Sequence, residues 1–178
     1  MKRILYNITR ASLTTFAAYL LLFFAWRTLL SGVKSERLYL FLVATMSSMA
    51  FAFFLLYFSK IKKSAGEDEV IEDYEVDTSY TLKKDIRHIL RREGKLLIFI
   101  AAIVLLCFFL NTFDRVVFHN KVISLPAFLF VPMCLFSTCF KISVIGYIVS
   151  VLMNCAWYIL FLLHYRKKKY DYWMKKEQ

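Results

Sequence analysis

No Asp or Glu falls within any long hydrophobic run of this 178-residue chain; Glu36 and Asp114 only flank such runs. Proton- and ion-coupled transporters usually keep an ionisable group at membrane depth, so the absence argues against that class. Inverted repeats and paired broken helices, the other marks of transporters, are missing as well. So are the H-E-x-x-H, Walker and G-x-S-x-G motifs, and with them the usual zinc, phosphate and acyl-transfer chemistries. The four cysteines form no C-x-x-C pair: Cys107 and Cys155 lie inside hydrophobic runs, and Cys134 and Cys139 are five residues apart. Buried free cysteine behaves mainly as a small hydrophobe. The three histidines, His88, His119 and His164, are scattered along the chain, so no shared metal site is expected. The expectation is a protein that is not an enzyme and needs no cofactor. Were it an enzyme, Cys134 with Cys139, or Asp114, would have to act at the outer surface.

What is present points to a membrane. Hydrophobic residues make up 60% of the chain and mean hydropathy is +0.54, against ~45–50% apolar in soluble domains. The excess is concentrated in long runs, which marks membrane spans rather than one large core. Eighteen Phe and eleven Tyr suit lipid-facing surfaces and interfacial belts. The net charge of +11 would suggest nucleic acid in a soluble protein. Here the charge flanks hydrophobic runs, so anionic lipid headgroups are the expected partner and nucleic acid is not.

The fold class expected is an all-α membrane protein forming a single integral membrane domain. Four spans are read at about 12–31, 38–59, 96–113 and 142–165. The first begins like a signal peptide, with Lys2 and Arg3 before a long apolar run, but no small-residue cleavage site follows; it reads as a retained anchor. Residues 60–95 form a cytoplasmic loop, with seven acids in 66–77 and a basic, periodic stretch over 78–93. Leu82, Ile86, Ile89 and Leu90 fall on one helical stripe, which predicts an amphipathic helix lying on the membrane surface. Gly94 is expected to act as a flexible joint into the third span.

The stretch 122–140 is apolar enough to enter a bilayer, yet it carries Pro126 and Pro132. Each proline removes a donor and disfavours helix at the residue before it. Lys and Arg counts test whether it crosses, because short inner loops are enriched in both. Without a crossing, eighteen of the 24 fall on the side of the two termini and six on the other; with one, the division is 13 to 11. The reading is therefore four spans, cytoplasmic termini and a re-entrant or interfacial segment at 122–140. Five transmembrane helices are the alternative.

Within the spans, Ala44, Ser48 and Ala52 recur every fourth residue, a small-xxx-small pattern that lets helices approach closely. It serves internal packing or, alternatively, a homo-oligomer. Asn154, with Ser150 one turn before it, needs partners in hydrocarbon and is read as interhelical glue, or alternatively as part of a solute path. Lys83, Lys84, Arg87, Arg91 and Arg92 of the loop, and Arg166, Lys167, Lys168 and Lys169 of the tail, are the residues expected to meet anionic lipid. The acidic stretch could compete for the same basic face. The function expected is a non-enzymatic subunit or interaction protein of the cell membrane, with a membrane-protein partner. A small transporter or transporter component is the first alternative, and an outer-face membrane enzyme the second.

Overall fold

The computed structural model describes residues 2–29, 35–61, 82–117, 130–140 and 143–176. Four long helices carry the fold: α1 (Lys2–Leu29), α2 (Glu36–Leu56), α3 (Leu82–Val117) and α4 (Ser143–Lys176). A π-helical turn, Tyr57–Ile61, prolongs α2. There is no strand among the described residues. Three stretches, Glu36–Lys60, Ile89–Thr112 and Val144–Lys168, are long and apolar enough to cross a membrane. At ~1.5 Å per residue, each exceeds the ~30 Å hydrocarbon layer. The first run read from the sequence lies in α1, where the side chains of 19–29 are outside the described residues.

The helices alternate in direction. Arg10 of α1 sits over the Phe58 ring just past the end of α2, 4.4 Å from its centroid, so α1 and α2 are antiparallel. Ser48 meets Asn154 and Phe53 meets Phe161, so α2 and α4 run the same way. Glu93 meets Tyr158 while Asn111 meets Tyr147, so α3 opposes α4. The N-terminal parts of α1 and α3 and the C-terminal parts of α2 and α4 therefore share one end. That end carries Arg10, Lys60, Arg87, Arg91, Arg92, Lys95, Arg166, Lys167 and Lys168, and is called the basic end below. Val117 and Ser143 lie toward the other end, the far end.

Residues 130–140 fill the space between the helices without forming a fifth long one. A four-residue helix, Val131–Cys134, is followed by a 3-10 turn, Leu135–Thr138. Pro132, Met133, Cys134 and Phe136 are buried. This bent segment packs on all four long helices. Pro132 and Met133 reach the level of Ser47 and Asn154, near the middle of the apolar stretches, and Phe136 lies back toward Phe41 at the far end. Residues 118–129, with Pro126, lie outside the described residues.

One expectation is corrected. Residues 82–117 form a single helix, so Gly94 is not a joint and no separate surface helix ends before it. Residues 78–81 lie outside the described residues. The reason is a matter of phase. Ile89, Glu93, Leu96, Ile100, Ile103 and Cys107 are all buried and recur every three or four residues, so one stripe runs through Gly94 unbroken. A single glycine costs a helix ~1 kcal/mol, too little to break 36 residues packed along their length. Of the residues expected to face membrane or bundle, Ile89 is buried, Ile86 half-buried and Leu90 exposed; the Leu82 side chain is outside the described residues.

Candidate functional site: a polar seam through the bundle

Asn154 is fully buried at the centre of the molecule. Its Nδ2 donates to the Met133 carbonyl at 2.9 Å and to the Ser150 carbonyl at 2.7 Å, and its Oδ1 accepts from the Ser48 hydroxyl at 3.0 Å. The Ser47 hydroxyl donates to the Pro132 carbonyl at 3.4 Å. The bent segment has carbonyls that no regular helix satisfies, and bare carbonyls in hydrocarbon cost several kcal/mol each. Polar side chains of α2 and α4 therefore stand where the broken backbone needs them. The Ser150 hydroxyl turns back to the Gly146 carbonyl at 2.9 Å, a local bond that satisfies it without a partner on another helix.

A second polar layer lies toward the basic end. The Lys60 ammonium is 2.7 Å from Glu93 Oε1. The Tyr158 hydroxyl, fully buried, donates to Glu93 Oε2 at 3.4 Å and also meets Ser59. The π-helical turn at 57–61 brings Ser59 and Lys60 to this position; such turns often mark functional sites. Lys60 is partly exposed, whereas the Glu93 side chain is 11% exposed. Glu93 lies near the basic-end edge of the stretch Ile89–Thr112, between exposed Arg91, Arg92 and Lys95.

A third layer lies toward the far end. Asn111 of α3 donates to the Tyr147 hydroxyl of α4, which also meets Ser137 of the bent segment. Just inside it the thiols of Cys107 and Cys134 contact one another. Together the three layers form a polar seam along the buried face of α4, through Tyr147, Ser150, Asn154 and Tyr158.

Close packing makes the seam possible. Ala44, Ser48 and Ala52 are all buried, and Ser48 of this row meets α4. Gly146 is pressed against the bent segment: a Cβ there would lie 2.5 Å from Ser137 Cα and 2.7 Å from the Phe136 carbonyl oxygen. Among the residues expected to meet lipid, Arg87, Arg91, Arg92, Lys167 and Lys168 are exposed and Arg166 is half-buried. The side chains of Lys83, Lys84 and Lys169 are outside the described residues. Cys134 and Cys139 do not pair; Cys134 faces Cys107 instead. Asp114 and His119 have side chains outside the described residues.

No group of three or more His, Cys, Asp or Glu able to hold a metal occurs among the described residues. No protein-family model, curated protein or solved structure matches this chain.

Sequence reasoning found Asn154, Ser150 and Ser48 but missed Tyr147, Tyr158, Glu93 and Lys60. The signal was available for α4: Tyr147, Ser150, Asn154 and Tyr158 follow helical spacing, and they were obscured by the aromatic richness of the whole chain. Glu93 falls in the 60–95 loop by its charged neighbours Arg91, Arg92 and Lys95, yet its side chain is buried with the stripe of α3. Its place in the stripe from Ile89 to Cys107 was the better guide.

Proposed function

We propose that this chain is a four-span integral protein of the cell membrane, with both termini cytoplasmic. It works as a non-enzymatic subunit or interaction protein whose basic end meets anionic headgroups and a membrane-protein partner. The observation that carries this reading is the convergence of basic residues from four separate parts of the sequence on one end of the bundle. Each Lys or Arg near an anionic surface contributes on the order of 1 kcal/mol of attraction. The antiparallel course of α3 and α4 supports four crossings, since both flanks of residues 118–142 then lie toward one end. Supporting an architectural role, the polar groups of the central layer bond chiefly to one another.

Cross-linking in native membranes, followed by purification in mild detergent, tests the reading. We expect a stoichiometric membrane-protein partner that is lost when Arg87, Arg91 and Arg92 are replaced by Gln. A chain that stays uncross-linked, with the same behaviour in the triple variant, would overturn it.

A further inference from the structure

We propose that Cys107 and Cys134 form a reversible oxidation site, which closes to an intramolecular disulfide when a peroxide reaches it. This site goes beyond the binding role above and does not depend on it.

The pair is made by the fold and not by sequence spacing. Cys107 lies on α3, and Cys134 ends the short helix Val131–Cys134, 27 positions later. Cα atoms of that helix approach α3 to within 8 Å, and the two thiols are in contact. Both residues are buried, at 2% and 6% exposure, and both are free thiols. Tyr147 of α4 stands beside the two sulfurs. Its ring packs on Phe108, the neighbour of Cys107, with centroids 5.2 Å apart. Three elements therefore hold the sulfurs together. A disulfide needs Cα atoms roughly 4.4–6.8 Å apart, so thiols touching between two packed helices are placed for the bond to close with little backbone movement.

The position has a structural meaning. Three successive residues of the bent segment each meet a different helix. The Pro132 carbonyl accepts from Ser47 of α2, the Met133 carbonyl accepts from Asn154 of α4, and the Cys134 thiol meets Cys107 of α3. Only the third contact can become covalent. Oxidation fastens the bent segment to α3 where the other two ties are hydrogen bonds.

Burial selects the oxidant. Charged or bulky reagents are kept from thiols this deep, whereas hydrogen peroxide is small and uncharged. Leu105, Leu106 and Phe109, which flank Cys107 on α3, are exposed apolar residues, so hydrocarbon lies on the outer side of the site. One sulfur attacks the peroxide; the O–O bond breaks, giving a sulfenic acid and one water. The second sulfur then attacks the sulfenic sulfur, the S–S bond forms, and the hydroxyl leaves with that thiol's proton as a second water. Two thiols and one hydrogen peroxide thus give one disulfide and two waters. A partner thiol already in contact favours this step over further oxidation to sulfinic acid. Exchange with a reducing dithiol restores the pair.

The test uses the full-length protein in native membranes, with Cys139→Ser and Cys155→Ser so that only the proposed pair remains. Membranes are treated with hydrogen peroxide, dissolved in SDS with N-ethylmaleimide and digested with trypsin. Arg115 and Lys121 lie between the two cysteines, so cleavage leaves them on separate peptides. We expect mass spectra to show those peptides joined by a disulfide, separated by dithiothreitol and absent in Cys134→Ser, from a chain that runs as a monomer on non-reducing gels. Two thiols that remain fully alkylated after peroxide overturn the proposal. So does sulfinic acid at either cysteine without a joined peptide, and so does a disulfide formed only between two copies. Should the doubly substituted chain fail to accumulate, the wild-type protein decides: chymotrypsin cuts after Phe136 and separates Cys134 from Cys139, and no Cys107–Cys134 link there also overturns it.

Discussion

The Asn154 amide donates to the Met133 carbonyl at 2.9 Å, joining the middle of α4 to a bent segment 21 residues before it in sequence. The same side chain bonds Ser48 of α2 and the backbone of its own helix. One residue therefore fixes three parts of the chain at the depth where water is scarcest.

Replacing Asn154 with Leu removes three hydrogen bonds and leaves the Met133 carbonyl without its donor. Hydrogen bonds between membrane helices average about 0.6 kcal/mol, and an unsatisfied buried group costs about 1–3 kcal/mol. We expect a loss of about 2–4 kcal/mol on those figures, read as SDS-induced unfolding of the purified protein. A loss below that of Thr112→Val, whose hydroxyl bonds only its own helix, would remove Asn154 from the centre of the fold.

Two glycines should respond oppositely to alanine. Gly146→Ala drives a methyl into the Ser137 backbone, and overpacking of this kind costs about 1–3 kcal/mol. The bent segment should loosen, and Cys139 should react faster with a membrane-permeant thiol reagent. Gly94 has nothing within 4 Å of a would-be Cβ, so Gly94→Ala should be neutral or stabilise the helix by up to ~1 kcal/mol. Thermal melting in detergent compares the two; a more damaging Gly94→Ala would restore the idea of a joint.

Topology is open to a direct test. With the four native cysteines replaced, Lys141→Cys should react with an impermeant thiol reagent applied to intact cells. Lys175→Cys should react only after lysis. Labelling at 175 with protection at 141 is the result required by five crossings.

Anionic lipid should be retained during purification, and less so once the exposed charges are removed. We expect Lys167→Gln/Lys168→Gln added to Arg87→Gln/Arg91→Gln to lower binding to phosphatidylglycerol nanodisc lipid in native mass spectra. High salt should weaken the remaining attraction, because exposed charges are screened beyond ~8 Å at physiological ionic strength. Equal retention in wild type and variant would show that lipid is held elsewhere.

The helical class and the apolar stretches were legible in the sequence because run length alone decides them. That residues 130–140 form no long helix was legible too, but the chain does not break at Pro132, which stands in the first turn of the short helix Val131–Cys134, where a missing N–H costs little. The continuity of α3 was less so: Gly94 is a local signal, while the stripe from Ile89 to Cys107 is a property of the whole helix. The meeting of Lys60 with Glu93, and of Cys107 with Cys134, was not legible at all. Those contacts depend on how helices distant in sequence are set side by side.

The bent segment also bears on how the chain is made. Ser47 can reach the Pro132 carbonyl as soon as α2 is in the membrane, but the partner of the Met133 carbonyl lies on α4. Residues 130–140 leave the ribosome before that partner exists. A nascent chain stalled ahead of Ser143 would hold an uncovered Met133 carbonyl that Asn154 of α4 satisfies, so the bent segment is settled only after α4 has joined it.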